Sequence, residues 1–321
     1  MGREIKGAVL VILGVCLFGL VSAVTRGLYA LYPGIDSITI VQMRMFLGGL
    51  VYLLVCFIRN PKSLKLPPKS FIYFTVLGVC GIFIAMYMLM LAVKLINAGL
   101  ALFIQATSTL MLCGYSAVFL KEKQGWNKIF GIISGFAGIA VIFFGPDMLN
   151  MGSMFVFGIL AAFGSAIGKT VNIILSKNGY KKYDQSVMIA YSTLIGGIFS
   201  LILNPPVKFV TTYMSDPTVI LYVIFVVLIG TVLTYVLYYG GLKYMSASTM
   251  GILNIFEPLS ATVFSYIILA DAMSVQQIIG GVLIITGITV MYAVEIARKQ
   301  KQLAKEKRSI SDVAGREDVV C

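Results

Sequence analysis

The sequence predicts an all-α, polytopic membrane protein with ten transmembrane helices arranged as two inverted five-helix repeats. The chain of 321 residues is 59% hydrophobic and only 12% charged, which lies outside the range of soluble domains. Its apolar runs are long enough to cross a hydrocarbon core of roughly 30 Å, which takes about 20 helical residues. The two halves of the chain also resemble each other.

Ten apolar runs are separated by charged clusters or by turn sequences such as Tyr32-Pro33-Gly34 and Asn204-Pro205-Pro206. Each run is predicted to be one membrane helix. The predicted spans in chain order are Gly7–Leu31, Ser37–Phe57, Ser70–Val93, Ala98–Leu120, Ile129–Phe144, Phe155–Leu175, Gln185–Leu203, Val219–Tyr239, Ala247–Leu269 and Val275–Ala297.

The placement of Lys and Arg predicts the orientation. If the N-terminus is cytoplasmic and the spans alternate, 20 Lys and Arg residues fall on the cytoplasmic side and 3 on the outer side. Because cytoplasmic loops carry an excess of Lys and Arg, both termini are predicted to be cytoplasmic in a plasma membrane. The formal charge of +12 is thereby explained without a nucleic-acid partner.

The two halves align without a gap when Lys94–Val141 is shifted by 149 positions onto Lys243–Val290. Five helices separate matching elements, and because five is odd the halves must lie in opposite orientations. We therefore expect repeats over residues 1–145 and 151–297, followed by a cytoplasmic tail over 298–321. The basic start of the tail is expected to lie on anionic lipid.

The ninth predicted span carries one carboxylate, Glu257, within about 2 Å of the membrane midplane. A carboxylate at that depth costs several kcal/mol unless it is protonated, paired or hydrated. Glu257 is therefore a candidate for binding an amine or carrying a proton. Alternatively, Glu257 belongs to a structural ion pair, or it is a protonated hydrogen-bond donor that packs helices together. Pro258 lacks an N–H, so the carbonyl of Asn254 is expected to be free.

The internal repeat extends this candidate site to the fourth span. Gln105 corresponds to Asn254, and Ser108 corresponds to Glu257. Gln105 and Ser108 are three residues apart, as are Asn254 and Glu257, and this spacing places the two residues of each span on one helical face. We expect all four side chains to lie near one another at similar depth in the membrane. Only the second repeat supplies a charged side chain, Glu257.

Three cations lie within predicted spans. Arg44 is about 5 Å outward of its span centre and is predicted to be a charge partner of Glu257 or a gate, or to bind a substrate carboxylate. Lys169 is about 6 Å inward, and Arg26 is about 10 Å outward. Both can extend along their apolar stems to the interface. The small residues around Lys169 also favour a tightly packed, hydrated helix face, and Lys169 is, like Arg44, a candidate charge partner or gate.

The eighth span carries Thr231, Tyr235 and Tyr238 at i, i+4 and i+7, which is one continuous helix face. Tyr235 and Tyr238 are candidate contacts for an ammonium group by cation–π attraction. Packing within the core, with the hydroxyls bonded across helices, is the alternative.

Several chemistries are excluded or left without support by the sequence. The chain has no histidine, which removes His–metal sites and histidine-based proton relays. No phosphate-binding glycine motif lies in a strand–helix setting, so ATP-driven transport is not indicated. No cofactor and no metal site are predicted.

The segment from Gly230 to Tyr292 resembles the closing segment of EamA-type domains of the drug/metabolite transporter superfamily. The resemblance lies in Glu257-Pro258-Leu259, an acidic Asp271, Gln277 and the glycines at 280, 281 and 287. The first half is similar at residues 42–47 of the second span and at Glu122. It implies ten helices in two inverted repeats and a secondary transporter, often an exporter of amino acids or other small metabolites.

The predicted function is efflux of a small amine-bearing metabolite or amino acid by alternating access, at a midplane site between the third, fourth, eighth and ninth helices. A carrier for an anionic or phosphorylated solute, using Arg44 and Lys169, is the first alternative. A membrane-embedded enzyme and a non-transporting membrane protein are the others. The partners expected are the lipid bilayer and a small-molecule substrate.

Overall fold

The computed structural model describes residues 2–64, 66–119, 125–144, 146–179, 182–242, 244, 253–291, 293, 294 and 297, and every regular element in those ranges is a helix. Seven of these helices are long and apolar enough to cross a membrane, and three further apolar helices are shorter. The predicted tail over 298–321 lies outside the described residues, as do residues 245–252 at the start of the ninth predicted span.

The apolar helices follow the predicted order. We label them α1 (Gly2–Leu31), α2 (Ser37–Arg59), α3 (Lys69–Leu95), α4 (Ala98–Ala106, continued by Ser108–Val118), α5 (Trp126–Phe143), α6 (Pro146–Gly179), α7 (Gln185–Leu203), α8 (Pro217–Tyr238), α9 (Phe256–Leu269) and α10 (Val275–Met291).

Two short segments connect them, a 3-10 turn over Pro61–Leu64 and a helix over Val207–Tyr213. The helix α6 starts earlier than predicted and bends at Gly152, whose φ of 70° is open to glycine at little cost.

Short polar side chains begin three of the helices. Asn97 Oδ1 accepts from the backbone N–H of Gly99 at 2.8 Å, and Asp184 Oδ1 accepts from that of Ser186 at 2.9 Å. Asp216 caps α8 in the same way, with Pro217 in the first helical position. These caps satisfy backbone N–H groups that have no partner within the helix, so the helices begin where the sequence places Asn or Asp.

The helices α5 and α10 pack through two reciprocal glycine contacts. A methyl group added to Gly138 would lie 2.5 Å from the carbonyl oxygen of Gly280, and one added to Gly131 would lie 2.9 Å from that of Gly287. In the repeat, Gly131 corresponds to Gly280 and Gly138 to Gly287. Each contact is therefore the counterpart of the other, which is the pattern of an isologous, twofold interface.

The helices α2 and α7 meet in the same reciprocal way. Gly49 packs on the backbone of Leu194, and Gly197 packs on the backbone of Phe46. In this part of the chain the two halves align with a shift of 148 positions, as Leu47-Gly48-Gly49 with Ile195-Gly196-Gly197 shows, so residues 46 and 49 correspond to residues 194 and 197. Small residues allow this close backbone approach, which drives helix association where no hydrophobic force acts between helices.

Three of the helices contain a stretch of π-helix. These stretches are Met43–Leu47 in α2, Leu77–Phe83 in α3 and Leu228–Leu233 in α8. Those in α3 and α8 lie at nearly equivalent positions of the two halves. A π-helical turn widens the helix and changes which backbone and side-chain groups face inward, and such turns are frequent at functional sites.

The helices α4 and α9 are interrupted at equivalent positions. The helix α4 breaks at Thr107, whose N–H bonds to the carbonyl of Ile104 at 3.1 Å. Asn254 and Ile255 form a turn before α9 begins at Phe256. The predicted span Ala247–Leu269 therefore contains a break, and Glu257 lies in the first turn of a helix. The positive end of the helix dipole favours a carboxylate there.

Candidate functional site

A cavity of about 230 Å³ lies among the helices and brings together seven of the eight side chains singled out in the sequence. Those seven are Arg44, Gln105, Lys169, Tyr235, Tyr238, Asn254 and Glu257. Mostly apolar and small residues form the rest of the wall, namely Phe18, Ser22, Gly81, Ile82, Ala85, Met86, Leu89, Asn172 and Ile173. A mainly apolar pocket with a few convergent polar groups is the usual form of a small-molecule site.

More helices contribute to the cavity than the four expected from the sequence. Residues of α1, α2 and α6 line it as well as those of α3, α4, α8 and α9. The expectation was too narrow because the breaks and π-helical turns, which set the direction of side chains, are not visible as periodicity in the sequence.

The carboxylate of Glu257 is paired with the ammonium of Lys169. Lys169 Nζ lies 3.4 Å from Glu257 Oε2 and donates to Gln105 Oε1 at 3.1 Å. One ammonium therefore bridges α4, α6 and α9. The expected ion pair of Glu257 with Arg44 is not formed, because Lys169, the other candidate charge partner, holds that position; a gating role for Arg44 stays a prediction.

Gln105 is held in place by a chain of hydrogen bonds. Gln105 Nε2 donates to Ser165 Oγ at 2.6 Å, and Ser165 Oγ donates to the carbonyl of Ala85 at 2.8 Å. The amide is thereby fixed with its oxygen toward Lys169. Ser165 lies one helical turn before Lys169 on α6 and is one of the small residues around Lys169 in the sequence, but its bond to Gln105 was not predicted.

Arg44 is a buried cation without a carboxylate partner among the described residues. Its side chain is only 3% exposed. Nη2 donates to the carbonyl of Gly230 at 3.2 Å, in the π-helical turn of α8, and Nη1 approaches the sulfur of Met90. The Nε of Arg44 is buried and has no hydrogen-bond partner among the residues that the structure describes. A guanidinium has five N–H donors, so Arg44 is left with unused hydrogen-bonding capacity.

Asn254 links the broken helix α9 to α8. Its Nδ2 donates to the hydroxyl of Tyr238 at 3.2 Å, and its Oδ1 is buried with no partner among the residues described. The expectation of a free Asn254 carbonyl was wrong, since the N–H of Glu257 bonds to it at 3.1 Å. The chain turns before Pro258, and that turn supplies the hydrogen bond which a continuous helix would lack.

Aromatic rings form one end of the cavity. The ring of Phe18 meets Tyr235 and Tyr238 edge-on, with centroids 5.7 and 6.3 Å apart. Thr231, predicted on the same face, instead packs its methyl group against Gly48 and bonds its hydroxyl to the carbonyl of Val226. The π-helical turn at Leu228–Leu233 rotates Thr231 away from the two tyrosines.

Ser108 lies next to the cavity rather than in its wall. It is 1% exposed and lines a smaller space of about 40 Å³ that also contacts Lys169, Asn254 and Glu257. Its carbonyl accepts a hydrogen bond from Thr170 Oγ1 at 3.1 Å. Ser108 therefore follows the break in α4, as Glu257 follows the break in α9.

A second ion pair closes the bundle at its predicted outer end. Arg26 Nε lies 3.5 Å from Asp271 Oδ2, and Arg26 Nη1 also donates to the carbonyls of Val93 and Lys94. Asn97 Nδ2 donates to the Asp271 carbonyl at 2.9 Å. Arg26 was expected to reach the lipid interface, and instead it bonds to two other chain segments, the end of α3 and the residues after α9.

A larger space of about 520 Å³ lies beside this outer pair, next to Tyr29, Pro33 and Lys94. Lys94 Nζ donates to the carbonyl of Ile35 at 2.7 Å. Within the described residues, no three His, Cys, Asp or Glu side chains lie close enough together to hold a metal ion.

Comparison with known proteins identifies the family to which the chain belongs. The model of the EamA-like transporter family matches the chain twice, over residues 5–144 and 156–293. The two matches together cover most of the chain, including every residue of the central cavity.

Three bacterial relatives are transporters by name. The chain is 29% identical to an uncharacterized transporter of Clostridium kluyveri, over 79% of this chain and 83% of that protein. It is 26% identical to the uncharacterized transporter YoaV of Bacillus subtilis, over 77% and 84%. It is 24% identical to the uncharacterized inner membrane transporter YicL of Salmonella typhimurium, over 90% and 95%.

A solved crystal structure shares the fold. It superposes with a TM-score of 0.61 at 19% sequence identity, over 92% of this chain and 98% of the other. At that level of identity the likeness concerns the fold alone.

Proposed function

This chain belongs to the EamA-like transporter family, and on that premise we propose that it is a secondary-active transporter of a small amine-bearing metabolite, amino acids included. It is a multi-pass membrane protein, and transport would proceed by alternating access around the central cavity. The lipid bilayer and a small-molecule substrate are its partners.

The observation that carries the amine assignment is the ammonium already bound in the cavity. Lys169 Nζ lies between Glu257 Oε2 and Gln105 Oε1, so the two acceptors have the spacing that one ammonium needs. The rings of Tyr235 and Tyr238 lie in the same wall and suit a cation. An amine-bearing solute would meet acceptors of the right charge and geometry.

Alternating access is supported by the symmetry of the packing. The reciprocal contacts of α5 with α10, and of α2 with α7, are those expected for inverted repeats over residues 1–145 and 151–297. The breaks in α4 and α9 lie at equivalent positions beside the cavity. Transporters built from inverted repeats bind substrate between the repeats, at discontinuous helices, and move one repeat against the other.

We propose a plasma-membrane location with both termini cytoplasmic, from the excess of Lys and Arg on one side of the bundle. The name of the Salmonella relative, an inner membrane transporter, supports that location. At the predicted outer end the bundle is bridged by Arg26 and Asp271, whereas the cavity extends to Tyr238 on the predicted cytoplasmic side. This geometry supports access from the cytoplasm, and we propose efflux as the direction of transport.

The test is ligand-dependent thermal stabilisation of the purified protein and of Glu257→Gln. The probes are L-leucine, isoamylamine and 4-methylpentanoate, which share one carbon chain and differ in their charged groups. Ligands that bind only the folded state raise the Tm. We expect L-leucine and isoamylamine to raise the Tm of the wild type and to lose that effect in Glu257→Gln. Equal shifts in the two proteins would overturn the amine assignment.

A carrier for an anionic or phosphorylated solute is the second candidate, and Arg44 favours it. Within the described region, Arg44 and Lys169 face the cavity with Glu257 as the one acidic side chain, which leaves an excess of positive charge. In that case 4-methylpentanoate alone would stabilise the protein, and Arg44→Gln would remove the effect. A membrane enzyme has less support, because the described partner of the Glu257 carboxylate is the ammonium of Lys169 and no second carboxylate lines the described cavity wall.

A further inference from the structure

Lys169 stands where an ammonium substrate would bind. Its Nζ is within reach of both polar acceptors that converge on this part of the cavity, Glu257 Oε2 at 3.4 Å and Gln105 Oε1 at 3.1 Å. No other cation in the described part of the chain lies within ion-pair distance of Glu257. A substrate ammonium bound to Glu257 would therefore compete directly with Lys169.

Both partners of the pair face open space rather than the packed core. The Lys169 side chain is 33% exposed and that of Glu257 is 14% exposed, and both line the cavity. The other cation in the wall, Arg44, is nearly fully buried and bonded to the carbonyl of Gly230. The Lys169–Glu257 pair is thus the accessible one.

The structure separates a fixed backbone from a movable side chain at Lys169. The preceding residue, Gly168, packs so closely on α3 that an added methyl group would lie 2.9 Å from the Cα of Ala85. This contact holds α6 in place. The lysine stem has four rotatable carbons and carries a point charge, so its ammonium can leave Glu257 without any shift of the helix.

We infer that Lys169 is a tethered ammonium that holds the substrate's place on Glu257 in the empty carrier and is displaced when substrate binds. The inference rests on the proposed function, since it gives that same site its selectivity. A solute must supply its own ammonium to replace Lys169, because an unpaired carboxylate inside the membrane is costly. Neutral solutes of the same shape would be rejected.

Competition of this kind has a measurable consequence. A ligand that binds only the fraction of molecules with Glu257 vacant has its apparent Kd raised by the inverse of that fraction. If Lys169 holds Glu257 in nine molecules of ten, removing it tightens ammonium binding about tenfold. It also leaves an empty, unpaired carboxylate, which lowers the Tm of the ligand-free protein.

The experiment is rescue of Lys169→Ala by n-propylammonium, which matches the atoms that the substitution removes. Thermal stabilisation is titrated in the wild type, in Lys169→Ala and in Lys169→Ala/Glu257→Gln. We expect Lys169→Ala to melt lower than the wild type, to recover with n-propylammonium, and to bind it at least about tenfold more tightly than the wild type. The double variant should show no ammonium-specific shift.

Two controls separate this effect from cavity filling and from a general change of charge. 1-Propanol has a similar size and no charge, and it should not rescue Lys169→Ala. Arg44→Met removes the other cation of the cavity while leaving Lys169 on Glu257, so it should not tighten ammonium binding to the same degree. If Lys169→Ala does not fold, Lys169→Met keeps the apolar stem and is tested with methylammonium.

The outcomes distinguish the two proposals. If the wild type responds to ammonium through Glu257 but Lys169→Ala binds no more tightly, the proposed function stands and the tethered ammonium is wrong. If n-propylammonium rescues Lys169→Ala while no amine raises the Tm of the wild type, Lys169 is a permanent structural partner of Glu257. Both proposals are then overturned. Equal rescue by 1-propanol would also overturn the inference.

Discussion

The molecule contains two ion pairs of nearly equal length whose surroundings differ. Lys169 and Glu257 approach to 3.4 Å in the central cavity, and Arg26 and Asp271 approach to 3.5 Å at the predicted outer end. Both pairs join α9, or the residues that follow it, to a neighbouring helix. Their distances alone would not tell them apart.

The difference lies in what else each cation contacts. Arg26 also bonds to the carbonyls of Val93 and Lys94, so its guanidinium is held by backbone whether or not Asp271 is charged. The ammonium of Lys169 has one further contact, the amide oxygen of Gln105. The outer pair therefore acts as a clamp that holds chain segments together. The central pair is a contact in which another cation can replace Lys169.

The largest expected effect compares the two carboxylates directly by replacing each with its amide. Glu257→Gln removes the charge that binds an ammonium, and charge-assisted hydrogen bonds contribute about 1.5–3 kcal/mol, so isoamylamine affinity should fall about 10- to 100-fold. Asp271→Asn should leave that affinity unchanged within about twofold. Dissociation constants from thermal-shift titrations check both, and a similar fall in the two variants would erase the distinction between the pairs.

A second prediction concerns Arg44, the cavity cation that belongs to neither pair. Arg44→Met removes the donor to the buried carbonyl of Gly230, and an unsatisfied buried acceptor costs about 1–3 kcal/mol. We expect a lower Tm, measured by thermal denaturation in detergent, together with a retained response to isoamylamine. Loss of that response in a folded variant would mean that Arg44 also belongs to the amine site, so that Arg44 and Lys169 would no longer differ in role.

A third prediction tests the outer pair as a clamp. Asp271→Asn should lower stability by less than about 1 kcal/mol, because both side chains are partly exposed and Arg26 keeps its bonds to backbone carbonyls. The same variant should open the outer end more often. Labelling of a cysteine placed at Tyr29, which borders the outer space and is buried, would then be faster than in a cysteine-matched parent. Unchanged labelling would count against a clamp.

The smallest expected effect lies beyond the outer pair, at the hydrogen bond from the Tyr32 hydroxyl to Asp216 Oδ2. This bond, with the N–H of Thr218, holds the pKa of Asp216 below its ordinary value of 3.8. Because the folded-state pKa is lowered, the contribution to stability is present above pH 3.8 and is lost as the pH falls through the folded-state value.

Tyr32→Phe should therefore lower the Tm at pH 7 by less than about 2 °C, since the pair is exposed to solvent. The difference from the wild type should shrink as the pH is lowered below 3.8. A constant difference across that range would mean that packing of the Tyr32 ring against Tyr213, rather than the bond to Asp216, is responsible.

Much of the candidate site was predictable because membrane helices leave little freedom to polar side chains. Glu257, Gln105 and Lys169 stand out against apolar surroundings, and the internal repeat relates the fourth and ninth spans before any coordinates are known. The cavity does bring these three together. Their roles in transport are still predictions.

The partner of Glu257 was not predictable from spacing along the chain. Arg44 and Lys169 both lie within spans and a few ångströms from the midplane, on opposite sides of it, and the choice between them depends on how α2 and α6 are rotated about their axes. The π-helical turn at Met43–Leu47 directs Arg44 toward the carbonyl of Gly230, while Lys169 points to Gln105 and Glu257. The same kind of turn in α8 removed Thr231 from its predicted face.

The amino-acid sequence alone predicts a membrane protein of apolar helices, the order of those helices and the polar residues within them. The tertiary fold is needed to know where α4 and α9 break, which cation pairs with Glu257, and that Arg26 bonds to Asp271. The physical reason is that hydrophobic burial depends on composition along the chain, whereas a charge pair depends on angles between helices. Those angles follow from close contacts of small residues that are distant in sequence, such as Gly138 with Gly280.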